Sequence, residues 1–174
     1  MIKRKTYLTE EEYNNSKYNV VLYGGGTQST GLILLALTKL ETRPDFAVFA
    51  DTGAEPDHVI DYKNYFADYV KKEFDFDIYT VQKGNLEQDT KDYIEGNTKR
   101  VASLPLFSKG GMIMRQCTYE YKIVPIQKFI KDKLGIKRKN KEQSKIVSQW
   151  FGISLDEIQR MKQSPDWWSS FVYP

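Results

Sequence analysis

Short runs of apolar, β-branched residues alternate along this chain with longer stretches of mixed polarity. Val20–Tyr23 (VVLY) and Phe46–Ala50 (FAVFA) are unbroken apolar runs, the pattern of strands covered on both faces of a sheet. Ile78–Val81 and Ile146–Phe151 predict a third and a fourth strand. Ser29–Leu40 is apolar almost all round and reads as a buried helix. Pro56–Phe74 places Val59, Tyr62, Phe66, Tyr69 and Val70 at spacings of three and four, which predicts an amphipathic helix. Leu86–Glu95 reads as helical, and Gly96–Gly111 as a long irregular segment. Thr118–Leu134 reads as a helix stopped by Gly135, with Pro125 kinking it or opening a new first turn. Ser154-Leu155-Asp156-Glu157 fits a capping box that opens a helix to about Lys162. Strands alternating with helices predict an α/β fold on an open, mostly parallel twisted sheet with helices on both faces. Residues 1–17 form a polar lead-in with a short helix begun at Thr9, and residues 18–174 a single domain.

Composition narrows the chemistry. With one cysteine, Cys117, an internal disulfide and a four-thiolate iron–sulfur cluster within the chain are excluded. One histidine, His58, makes a structural zinc site equally unexpected. Met1–Lys17 holds no apolar signal region, and the longest apolar run, Leu32–Leu37, is too short to span a bilayer. The expectation is a cytoplasmic, reduced protein with no membrane partner. Net charge is only +3, but eight cationic residues lie between Lys128 and Lys145 against Asp132 and Glu142. A basic loop over residues 137–145 offers a contact for a nucleic-acid backbone or a protein partner; a solvated surface loop has the same composition.

The most informative stretch is YGGGTQST at residues 23–30. Three glycines between a strand and a helix cost backbone entropy, so a reason for them is required. Such a turn lets backbone N–H groups and the positive end of a helix face a phosphate. The hydroxyls of Thr27, Ser29 and Thr30 are expected as further donors. A nucleoside-triphosphate P-loop is excluded, because no lysine follows Gly26. The dinucleotide pattern G-x-G-x-x-G is nearly met by Gly24, Gly26 and Ser29, with Asp51 where a ribose-binding acid could stand; that would make a nicotinamide or flavin oxidoreductase. The pyrophosphate loop S-G-G-x-D-S is matched at Gly25, Gly26 and Ser29. A turn that merely lets helix and strand pack closely is the bland alternative.

Four segments decide among these: YGGGTQST, FADTGAEP, RQCTYEYKIVPI and WFGISLDEIQRMK. In order and spacing, from about Val20 to Pro174, they resemble the PAPS reductase-like branch of the adenine nucleotide alpha-hydrolase (PP-loop ATP pyrophosphatase) superfamily, most closely its small phage and mobile-element members. The resemblance implies strand order 3-2-1-4, with room for a fifth strand, and a nucleotide in the crevice at the strands' C-terminal ends. It implies that Gly24, Gly25, Gly26, Thr27, Gln28, Ser29 and Thr30 hold phosphates. The backbone at Phe49, Ala50 and Thr52 would contact adenosine, with Gly152, Ser154 and Arg160 at the border of the nucleotide.

Asp51, Arg115, Cys117 and Lys122 are the candidate catalytic groups, with Asp51 also the candidate ligand of a Mg²⁺. Arg115 and Lys122 suit a phosphate or sulfate oxyanion, and a cationic neighbourhood favours the thiolate of Cys117. The plainer alternatives are a turn role for Asp51, solvated charges at Arg115 and Lys122, and a small buried hydrophobe at Cys117. Glu157 reads as a capping partner, Glu55-Pro56 as a helix start, His58 as surface, and Trp150, Trp167 and Trp168 as core.

Two departures matter. Gln28 stands where the loop pattern has an acid, which weakens metal-assisted ATP cleavage, and Gly24 stands for its first serine. The reductases also carry a nucleophilic cysteine in a C-terminal tail, whereas this sequence runs to Tyr173-Pro174 with Cys117 alone, so PAPS reduction itself is not expected. The expected function is an adenine-nucleotide enzyme, using ATP or a related nucleotide, that cleaves at the α-phosphate, adenylates an acceptor or feeds sulfur transfer. The alternative is a non-catalytic nucleotide- or nucleic-acid-binding module. Expected partners are the nucleotide, a protein or nucleic acid at the basic loop, and a second copy of the chain.

Overall fold

The computed structural model describes residues 16–100, 102, 107–108, 111–112, 116–137 and 145–174. Five parallel strands form one sheet: β1 (Tyr18–Tyr23), β2 (Phe46–Asp51), β3 (Ile78–Gln82), β6 (Val147–Phe151) and β7 (Ser169–Val172), in the order β3-β2-β1-β6-β7. The expected order is therefore present, and a fifth parallel strand lies outside β6. A two-stranded antiparallel pair, β4 (Phe107–Ser108) and β5 (Gly111–Met112), stands apart, within the segment predicted to be irregular. The predicted helix at Thr9 lies outside the described residues.

The sheet is buried on both faces because its central strands carry apolar side chains on both. Helices α1 (Thr27–Thr38) and α2 (Asp57–Phe74) cover one face, where Val21, Tyr23, Ile33, Phe49, Phe66, Val70 and Trp150 form a core. Helix α4 (Val124–Leu134) covers the other, with Val20, Val48, Ile126, Ile130, Val147 and Trp168. Trp150 and Trp168 are buried as expected. Trp150 donates its indole N–H to Asn19 Oδ1 (3.1 Å), satisfying the polar edge of the largest core side chain. Helix α3 (Leu86–Ile94) is capped by Asn85, whose Oδ1 accepts from the Gln88 N–H (2.9 Å).

Two predicted helices differ in form from the expectation, the first breaking at Pro125 as anticipated. Thr118–Leu134 is not uniform: Thr118–Ile123 is a π-helix, in which the Val124 N–H reaches back to Tyr119 O, and the α-helix starts at Val124. Pro125 is the cause. Without an N–H it cannot bond four residues back, so the chain opens before it and a new first turn begins. Gly135 then closes α4 in the left-handed region (φ 68°), as predicted.

The second is the stretch after β6, which is a 3₁₀ helix, Leu155–Arg160, rather than an α-helix to Lys162. The Ser154 side chain does not cap it, so no capping box forms.

Candidate functional site

The C-terminal ends of β1, β2 and β6 meet at one edge of the sheet, and the glycine turn sits on the first of them. Helix α1 starts at Thr27, two residues earlier than the apolar pattern predicts, with Gly26 as its N-terminal flank. No side chain caps it and no acid lies in its first turn, so its leading N–H groups are free for an anion.

Gly25 adopts φ +75°, and a Cβ there would lie 3.1 Å from Val59 Cγ1 and 3.4 Å from the Phe49 ring. Both the backbone and the space require glycine. Gly24, Gly26, Thr27 and Gln28 are exposed. The outer side of the turn faces a cleft of about 490 Å³ toward α2, lined by Gly25, Gly26, Thr27, Thr30, His58 and Tyr62.

Ser29 and Thr30 turn their hydroxyls inward. Both are buried. The Ser29 hydroxyl donates to Gly26 O (3.1 Å) and accepts from the Gly24 N–H (3.2 Å), while Thr30 pairs with the Tyr23 hydroxyl (3.3 Å). These side chains fix the turn's shape from inside, leaving Thr27 as the exposed hydroxyl.

Gln28 points elsewhere. Its amide nitrogen donates to Ser154 Oγ (2.6 Å) and Glu157 Oε2 (3.0 Å), across to the segment after β6. Glu157 also pairs with Arg160. These two partners, Gln28 first, hold the Glu157 carboxyl below the usual carboxylate range. Glu157 is therefore a bridge to α1 and not a capping residue. Its neighbour Asp156 is also held low, chiefly by the Ser154 hydroxyl.

Beneath the bridge, Gly152 presses directly on α1. A Cβ at that position would lie 2.7 Å from the carbonyl carbon and oxygen of Gln28 and from the Ser29 nitrogen. The resemblance implies that Gly152 and Ser154 border the nucleotide; in the structure both dock the β6 loop onto the first turn of α1.

At the end of β2, Asp51 Oδ1 accepts from the Gly53 N–H (2.8 Å), the turn role weighed above, and its second oxygen is uncommitted in the described contacts. Gly53 has φ +70° and lies tight against Asn85. Phe49, Ala50 and Thr52 are buried, and Thr52 O accepts the Leu86 N–H (2.8 Å). The Phe49 ring is packed in the core and the Thr52 carbonyl is bonded to the start of α3.

Lys122 reaches this corner from the π-helix and pairs with Glu55 Oε1 (2.7 Å), which also accepts from the Thr52 hydroxyl (3.2 Å). Lys122 is therefore not a solvated charge, and Glu55 is more than a helix start. Cys117 is half-buried and packs with Leu86, Ala102 and Tyr121, the arrangement of a small hydrophobe. Tyr121 donates its hydroxyl to Asp89. Burial first, and that bond second, push the phenol up to about 12. Arg115 lies outside the described residues.

On the opposite face of the sheet a second pocket of about 560 Å³ opens between α4, β6 and β7, with Leu22, Phe151, Ile153 and Arg160 in its walls. Arg160 links it to the bridge at Gln28.

Over residues 18–145 the chain matches the family model of the phosphoadenosine phosphosulfate reductase domain. The chain belongs to that family. It is a nucleotide-binding, sulfur-transfer-related family within the adenine nucleotide alpha-hydrolase superfamily, and the five-stranded parallel sheet is the fold expected of it. No curated protein and no solved structure matches the chain significantly. Among the described residues no helix is long and apolar enough to cross a membrane, and no three His, Cys, Asp or Glu side chains gather as a metal site.

Of the basic loop, Lys137 is exposed on a cleft it shares with Lys128 and Lys131 of α4. Lys145 is corrected: its ammonium donates to the carbonyls of Asp166 and Ser169 (2.7 Å each) and is not a free surface charge. Residues 138–144 lie outside the described residues.

Proposed function

We propose that this protein binds an adenine nucleotide with its phosphates on the turn Gly24–Gln28, and that it acts at the α-phosphate or in sulfur transfer from the activated nucleotide. One observation carries the reading. An uncapped helix start follows a turn whose Gly25 sits in the left-handed region with little room for a side chain, and whose Ser29 hydroxyl is bonded within the turn. Backbone donors fixed in this way stabilise charge on phosphate without reorganising.

Lys122, held by Glu55 beside Asp51, supplies a cation at the neighbouring loop. Exchange of its carboxylate partner for a phosphate oxygen would bring that charge onto the nucleotide. A Mg²⁺ shared with phosphates and water needs one or two protein carboxylates, and the free oxygen of Asp51 meets the lower of these requirements. Such an ion would neutralise phosphate charge; the backbone turn and Lys122 position the chain of phosphates.

A second reading, a binding module without chemistry, is favoured by Gln28. Where the loop pattern has an acid, this amide is turned away into hydrogen bonds with Ser154 and Glu157. Incubation with α-labelled ATP and Mg²⁺ separates the two. The enzyme reading expects AMP and pyrophosphate, lost in Asp51→Ala while ATP binding persists. Binding without AMP in the wild type would overturn the enzyme reading for ATP and leave the module.

A further inference from the structure

Among the described residues one charged side chain is buried: Lys63, in the second turn of α2 and 8% exposed. Its ammonium donates to the Thr80 hydroxyl (3.2 Å) and stands over the Phe49 ring, 5.6 Å from the centroid. No carboxylate pairs with it among the described residues, whereas Lys71, exposed two turns further along the same helix, holds Asp75 and Asp77. A lysine is almost never buried without a paired charge, because one hydroxyl and one ring face offset only part of the cost of desolvating an ammonium.

The surroundings of Lys63 place it behind the glycine turn. Phe49 and Thr80 stand opposite each other on β2 and β3. Val59 lies one turn before Lys63 on the same face of α2. Val59 and Phe49 are also the two side chains that a Cβ at Gly25 would meet, at 3.1 and 3.4 Å. Side chains of a helix lean toward its N-terminus, which directs Lys63 back toward Val59 and the turn. The cleft on the outer side of the turn has no carboxylate in its lining. Across the site, the charge of Lys122 is already matched by Glu55.

We propose that Lys63 is the buried counter-charge of the bound phosphates, a positioning residue that draws a polyanion onto the glycine turn from behind without touching it. This rests on the phosphate reading above and deepens it. A buried charge attracts a ligand in proportion to the ligand's negative charge, and salt screens it little.

The experiment is equilibrium titration of the purified chain with ATP, ADP and AMP, in the wild type, Lys63→Met and Lys63→Gln, at low and high salt. Methionine replaces the unpaired charge by an apolar side chain of similar length, and glutamine keeps a donor for Thr80 while removing the charge. Thermal melts establish that each variant is folded. Both variants should weaken ATP by about tenfold, ADP by less and AMP least, and the ratio of wild type to variant should persist at high salt. A merely structural role for Lys63 would weaken all three nucleotides by the same factor and overturn the proposal. A ratio that collapses to one at high salt would mark an exposed charge and overturn it too. Unchanged ATP affinity in the variants would overturn it while leaving the phosphate site standing. If the wild type binds none of the three, the phosphate reading fails and this inference with it.

Discussion

The contact between Gly152 and helix α1 makes a sharp prediction. In Gly152→Ala the added methyl carbon would lie 2.7 Å from three backbone atoms of Gln28 and Ser29. Backbone cannot swing aside as a flexible side chain can, so either the β6 loop or the first turn of α1 must move. Overpacking of this kind costs about 1–3 kcal/mol. For a domain of this length, each kcal/mol lowers Tm by roughly 2–4 °C, so a loss near 2 kcal/mol gives about 4–8 °C. The movement falls on the N–H groups proposed to hold phosphate, so nucleotide affinity should fall as well.

Gly31→Ala is the control, because a Cβ there meets nothing within 4 Å and the position is inside α1. Replacing a helix-interior glycine by alanine should stabilise by about 0.5–1 kcal/mol. Circular-dichroism melts of both variants, followed by nucleotide titration, test the argument. A Gly152→Ala variant as stable as the wild type, or less damaging than Gly31→Ala, would refute it.

Further perturbations test other parts of the site. Gly25→Ala must hold alanine at φ +75° with its methyl 3.1 Å from Val59, and should cost about 1–2 kcal/mol in a denaturant melt while weakening nucleotide binding. The Glu157 carboxyl, lowered first by Gln28 and then by Arg160, contributes stability that is present above the ordinary carboxylate pKa and is lost as pH falls through its folded value. Gln28→Ala should move that titration back upward, as read by carboxyl-carbon NMR; an unmoved titration means the bridge does not form. Tyr121 titrates near 12 instead of 10, so its contribution is complete below pH 10 and disappears as pH rises toward 12. Tyr121→Phe should lower stability by about 1 kcal/mol at neutral pH and flatten the loss between pH 10 and 12, measured by urea melts across that range.

Most of the scaffold was legible because its strands are apolar on both faces. VVLY and FAVFA have few alternatives to a covered parallel sheet, and Gly135 marks the end of α4 through the same left-handed geometry that the structure shows. Misreadings occurred where a tertiary partner outbid a local one. Glu157 has the spacing of a capping residue, yet Gln28, distant in sequence, and Arg160 take its carboxylate, and the segment settles as a 3₁₀ turn. Ser29 and Thr30 look like ligand donors from their type, but which way a hydroxyl faces depends on the turn that Gly25 folds. Gly152 gave no sign of its closeness to α1, since a single glycine after a strand has many uses.

The central claim is that nucleotide phosphates rest on the glycine turn, and amide chemical shifts report on it directly. The ¹⁵N-labelled chain would be titrated with ATP and, separately, with inorganic pyrophosphate. The account predicts that both shift the amides of Gly25, Gly26, Thr27 and Gln28. If ATP moved other amides while those of the turn stayed in place, the phosphate site would lie elsewhere and the account would be wrong.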